Sequence, residues 1–216
     1  MKNIFLHCVK AALVLLLSST ALWAEDLAVL QLPPPQMEGG VPLMQALKNR
    51  KSAREFNPSA KISPQTLSNL LWAGDGINRP ENGHRTAPSA MNWQEIDIYV
   101  ATVDGLYRYD PAKNALVTIK AGDARALTGT QPYVARASAD LVYVADSSRT
   151  GKAAGDQNVL SAADAGFIGE NVYLYCASAG LSTVVRASID KPRLSEALKL
   201  RPDQTIILAQ SVGYPE

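Results

Sequence analysis

The sequence predicts one α+β domain whose mixed, mostly antiparallel sheet is flanked by helices. Three observations predict it. Stretches with a helical apolar repeat and stretches rich in β-branched and aromatic residues follow one another without the regular alternation of a βαβ fold. The runs IDIYVATV at 96–103 and GLYRYD at 105–110 are successive strand-like segments, which read as a meander. Residues 161–179 are apolar nearly all round, the mark of a helix covered on every side. In a domain of this size, part of that cover is expected from a second subunit.

Residues 1–24 read as a secretory leader. Lys2 and Lys10 give a basic start, AALVLLL at 11–17 is the apolar stretch, and Ala21 and Ala24 offer cleavage points. The apolar stretch is too short to span a bilayer, which needs roughly 20 residues. Loss of Lys2 and Lys10 with no acidic residue takes the formal net charge from +1 to −1, which disfavours a nucleic-acid binder. The mature protein is therefore expected in the periplasm or outside the cell, with no membrane span. It keeps Cys176 as its one thiol and His84 as its one histidine. That composition leaves no intrachain disulfide, no metal site and no Ser-His-Asp machinery. Chemistry must then come from a bound cofactor.

Residues 25–41, with Pro33-Pro34-Pro35 and Gly39-Gly40, read as an extended arm ahead of a domain at 42–216. Pro42 opens a helix to about Asn49 with Leu43, Ala46 and Leu47 on one face. Ser63-Pro64 starts a second, running to about Ala73 on a Leu67, Leu70, Leu71 stripe. Residues 78–86 are a polar loop, and a strand at 116–119 follows the meander. Short helices are placed at 123–127 and 132–138, and a buried strand at 139–145. The glycine-rich 149–158 reads as a mobile loop. Gly180 caps the apolar helix, followed by a strand at 181–185, a helix near 193–198 and a last strand at 205–212.

Three separated segments carry candidate chemistry. In RKSAR (50–54), Arg50 and Arg54 flank Ser52, and planar guanidinium groups grip phosphate well. Taken alone, this basic pentapeptide also reads as a solvated helix end. In RTAPSAMNWQ (85–94), Pro88 fixes a turn while Ser89, Asn92 and Gln94 offer donors and acceptors that suit the pyrimidine edge of a flavin ring. The other reading is a surface loop, against which stand Trp93 and the strand that follows. In 164–190, the turn after the apolar helix, near Ala187 and Ser188, can present backbone N–H groups. Tyr107, Tyr109 and Arg186 are further candidates for lining a pocket.

Taken in order, RKSAREF, LSNLLWAGDGINRP, RTAPSAMNWQEIDIYV, GLYRYDP, DAGFIGENVYLYCASAGL and SVGYP resemble the nitroreductase family. The resemblance is strongest to its SagB-type, thiazole/oxazole-oxidase-like branch, and it covers about 42–215. It implies a nitroreductase-like α+β fold that forms a homodimer with FMN at the subunit interface. It assigns FMN contacts to Arg50, Lys51, Ser52 and Arg54 for phosphate and ribityl chain. Pro88, Ser89 and Asn92 are contributed from the partner subunit, and Val185, Ala187 and Ser188 lie beside the ring. Many relatives add a C-terminal Lys or Arg at the phosphate, whereas here SVGYP is followed by Glu216, leaving that work to Arg50 and Arg54. The implied activity is ping-pong transfer on FMN from a small-molecule donor to a flat acceptor such as a nitroaromatic or quinone. A dehydrogenase of a peptide-derived heterocycle and a non-catalytic flavin binder are the alternatives, and no side chain is assigned a catalytic role.

Overall fold

The computed structural model describes residues 28–151 and 156–216. The leader at 1–24, residues 25–27 of the arm and residues 152–155 of the polar loop lie outside the described residues. A seven-stranded sheet in the order β1-β6-β5-β4-β7-β9-β8 forms the centre, and every pairing in it is antiparallel. In chain order the strands are β1 (Val29–Gln31), β2 (Ile77–Arg79), β3 (His84–Arg85), β4 (Ile96–Thr102), β5 (Gly105–Asp110), β6 (Ala115–Ala121), β7 (Ala139–Asp146), β8 (Ser182–Arg186) and β9 (Gln204–Gly213). Strands β2 and β3 stand apart as a small hairpin. The helices are α1 (Leu43–Asn49), α2 (Pro64–Asp75), α3 (Gln157–Ala179) and α4 (Lys191–Leu198).

Strand β7 explains why the sheet has two covered faces. All eight of its residues are buried, because it lies between β4 and β9. Side chains of a strand alternate between faces. Leu141 and Tyr143 join Leu70, Leu71, Ile168 and Val172 beneath α2 and α3. Val142 and Val144 join Leu194, Leu198 and Ile206 beneath α4. Helix α3 lies close on the sheet at Gly169, where an added Cβ would come within 3.3 Å of Val185 Cγ2. Beside it, Gln210 donates to the Gly169 carbonyl at 3.3 Å and accepts from the Tyr143 hydroxyl.

The helix ends follow their sequence signals. Ser63 caps α2 by accepting from the Thr66 N–H at 3.0 Å, and Pro64 occupies the first turn. Gly180 ends α3 in the left-handed region at φ 71°, which costs a glycine little. Several expectations are corrected. Within the extended arm, Val29, Leu30 and Gln31 pair with β6 as an edge strand that the sequence reading did not mark. The polar loop at 78–86 contains the β2-β3 hairpin. The two short helices shrink to single 3-10 turns at Arg125–Leu127 and Val134–Arg136. In the loop placed at 149–158, Arg149 already belongs to a 3-10 turn and α3 begins at Gln157.

The apolar face of α1 also differs from expectation. Only Ala46 is buried, while Leu43, Met44 and Leu47 are 62 %, 75 % and 45 % exposed. Helix α3 buries one stripe against the sheet and α2, and leaves Val159 and Phe167 outward. Neither helix is covered on every side within one chain. No helix among the described residues is long and apolar enough to cross a membrane.

Candidate functional site

Arg50 stands just beyond the last turn of α1, its N–H donating to the Ala46 carbonyl at 2.8 Å. The chain then runs extended past the start of β8, where Ala53 N–H donates to the Thr183 carbonyl at 2.9 Å. This docking turns alternate residues to opposite sides. The Ser52 hydroxyl meets the Tyr173 hydroxyl of α3 at 2.8 Å. The Arg50 guanidinium lies 5.2 Å from the Tyr173 ring centroid, a cation–π distance. Tyr173 in turn accepts from the Val185 N–H at 2.9 Å. One phenol thus joins the basic segment after α1, the middle of α3 and strand β8.

A cleft of about 220 Å³ opens here, lined by Asn49, Lys51, Ala53, Tyr173, Thr183 and Pro215 among others. Lys51 and Arg54 are exposed, and none of Arg50, Lys51 or Arg54 forms an ion pair among the described residues. Lys51 is the cation that lines the cleft, and Arg50 stands beside it over the Tyr173 ring, so an anionic group such as a phosphate monoester would meet positive charge here. Cys176, a buried free thiol, forms part of the lining, and burial pushes its thiol well above the ordinary range. Ala187 and Ser188 lie exposed just past β8, with the Ser188 carbonyl accepting from Thr130 N–H at 3.1 Å.

Arg186, read from sequence as pocket-lining, is instead held inside the molecule. It pairs with Asp140 of β7 at 2.9 Å, bonds the carbonyl and hydroxyl of Thr128, and meets Ser211 of β9 at 3.1 Å. Burial pushes Asp140 up to about 6 against the pull of Arg186 and Ser211. This network pins the end of β8 and so fixes where the backbone at Ala187 emerges. Tyr107 and Tyr109 are likewise elsewhere. Tyr107 lines a separate cleft of about 350 Å³ with Leu30, Ile62 and Leu67, and Tyr109 is a core residue donating to Asn114 at 3.2 Å.

The third group, Pro88, Ser89 and Asn92, is not brought to this cleft within one chain. Ala90 N–H donates to Asp164 of α3 at 2.8 Å. Asp164 lies nine residues before Tyr173 along the helix, about 13 Å away at the α-helical rise. The loop carries three non-glycine residues in the left-handed region, Met91 at φ 53°, Asn92 at 55° and Gln94 at 50°. Such backbone is costly and persists only where surrounding contacts hold it, which is common at binding sites. The contacts are Gln94 N–H to Ser89 Oγ at 3.0 Å, and Arg85 to Gln94 Oε1 at 3.1 Å. Arg85 is held by a buried ion pair with Asp75, whose carboxyl burial pushes up to about 7 despite that cation. Tyr173, Asp164, Asp75 and Arg85 fall inside segments that the sequence singled out, but the sequence reading gave none of them a role. Their only sequence signal is a polar side chain at a position whose helical neighbours are buried.

Comparison with known proteins places the fold in a family. The profile of the nitroreductase family matches residues 47–214. A protein of Methanocaldococcus jannaschii assigned as a nitroreductase is 31% identical over 172 residues, 74% of this chain and 86% of that one. Among solved structures, one from Ralstonia eutropha JMP134, also assigned as a nitroreductase, superposes with a TM-score of 0.82 at 44% identity. It covers 87% of this chain and 90% of that one. A further structure, from Desulfovibrio desulfuricans in complex with FMN, shares the fold at TM-score 0.58 and 22% identity, covering 82% and 88%. With the family profile spanning most of the domain and relatives matched over nearly their whole length, the chain belongs to the nitroreductase family of oxidoreductases.

Proposed function

We propose that the protein is an exported, homodimeric, FMN-dependent oxidoreductase that reduces a flat conjugated acceptor, a nitroaromatic or a quinone. The observation that carries this reading is the junction at Tyr173, which Arg50 and Ser52 contact and which accepts from Val185 of β8, beside a cleft lined by Lys51. The donor set fits the cofactor: Arg50, Arg54 and Lys51 suit the phosphate, and Ser52 suits the ribityl hydroxyls. Exposed backbone at Ala187 and Ser188 suits the ring. Bound FMN would supply the exchange of electrons between donor and acceptor. The chain's own work is to hold and orient. Tyr173 keeps Arg50 and Ser52 in place, and the Arg186–Asp140 network keeps the backbone after β8 in register.

Homodimerisation is supported by the outward apolar residues of α1 and α3, and by the distance between the Pro88–Asn92 loop and the Tyr173 junction on one chain. A partner's loop completes the site in this proposal. Export is supported by the leader pattern at 1–24. The test is FMN binding by Arg50→Ala/Arg54→Ala, read by equilibrium dialysis on the dimer. Affinity is expected to fall by about tenfold or more, the worth of one charge-assisted hydrogen bond or better. Undiminished affinity would misplace the phosphate.

A further inference from the structure

Glu95 follows the strained loop directly and is fully buried, yet neither of its carboxyl oxygens finds a hydrogen-bond partner. A buried carboxylate without donors is among the costliest groups a protein can hold. Its polar neighbours are Ser161 and Asp164 on α3, and burial together with Asp164 pushes its carboxyl up from the ordinary range. Other charges on the surrounding elements are already engaged. Asp75 of α2 pairs with Arg85 of β3, and Arg149 after β7 pairs with Asp97 and Asp146 while donating to the Glu95 carbonyl at 2.8 Å. Among the described residues, no cation forms an ion pair with the Glu95 carboxyl.

We propose that Glu95 is a positioning residue which, in its protonated form, holds one hydrogen between itself and Asp164 and thereby fixes Asp164 as the anchor of the strained 89–94 loop. Asp164 has two oxygens for two tasks. One accepts the Ala90 N–H at 2.8 Å, and the other is available to accept the Glu95 proton in this proposal. Without that proton two adjacent buried carboxylates repel, Asp164 turns away, and the left-handed residues Met91, Asn92 and Gln94 lose a contact that holds them. That this loop serves a flavin site rests on the function proposed above; its tethering by Glu95 does not.

Hydrogen exchange of the mature chain, corrected for intrinsic rates, tests this through the amides of residues 90–94 across a pH series. In the wild type, protection is expected to fall by about tenfold as pH rises through the Glu95 titration, the loss of roughly one net hydrogen bond. Glu95→Gln, whose amide still donates, should keep the protection and lose the pH step. Glu95→Ala should lose protection at every pH. Unchanged protection in Glu95→Ala, or the same pH step in Glu95→Gln, overturns the proposal. If Glu95→Ala does not fold, the Glu95→Gln comparison alone decides. A protein that binds no added FMN would defeat the proposed function while leaving this exchange pattern readable.

Discussion

Tyr173 makes three contacts with three parts of the chain: a hydroxyl contact to Ser52, an acceptor contact to Val185 N–H and a ring face beneath Arg50. Tyr173→Phe keeps the ring and removes both hydroxyl contacts. It is expected to lower stability by about 1–2 kcal/mol, because the Val185 N–H loses its partner, and to weaken FMN binding several-fold, as calorimetric titration would show. The Asp140–Arg186 pair should be far less forgiving. Both side chains are almost wholly buried, so Asp140→Ala strands a cation and is expected to cost about 3–5 kcal/mol in urea denaturation. At this scale the sequence was partly legible. Arg50, Ser52 and Arg54 stand out as a cation–hydroxyl–cation spacing after a helix. Tyr173 and Asp164 do not, because each sits in an apolar helix where one polar residue carries no local signal. Arg186 was misread for a related reason. An arginine next to a predicted turn reads as pocket-lining until the fold brings Asp140 and Ser211 around it.

The elements were easiest to read where local chemistry and burial agree. Ser63-Pro64 and Gly180 mark helix ends by capping and by left-handed backbone, and the structure uses both. Replacing Ser63 by Ala should cost about 1 kcal/mol in thermal or urea unfolding through loss of the Thr66 N–H contact. Strand β1 and the β2-β3 hairpin were missed because they are two or three residues long and lie among prolines or polar residues. Only pairing with a partner strand makes them strands. The α1 face is covered only at Ala46 within one chain, for a different reason. An apolar stripe gives the side of a helix that seeks cover, not the body that covers it. Two buried carboxyls give the sheet and its hairpin a pH dependence. Asp75 is pushed up to about 7 and Asp140 to about 6, both from 3.8. The folded chain therefore holds protons that the unfolded chain has already released. Stability should fall as pH rises from about 4 to 7, and urea midpoints that rise over that interval would contradict the assignment.

For the whole molecule, the open question is what covers α1 and α3. Leu43, Met44 and Leu47 on one helix and Val159 and Phe167 on the other are more apolar surface than isolated exposed side chains explain. A second copy is the proposed cover, and it would bring its Pro88–Asn92 loop toward the Tyr173 cleft. Met44→Asp with Leu47→Asp is expected to yield monomers in sedimentation and to lose FMN with them. Monomers that still hold FMN at full affinity would separate the two properties. The family fold was legible from the order and spacing of six motifs. The proposed division of the site between two subunits is a matter of assembly, which no single chain displays. The most direct measurement is the visible spectrum of the mature protein purified from an exporting host, taken on the fraction whose mass is set by light scattering. A dimer with a flavin absorption band at about one FMN per protomer is the predicted result. A colourless monomer that takes up no added FMN would contradict it.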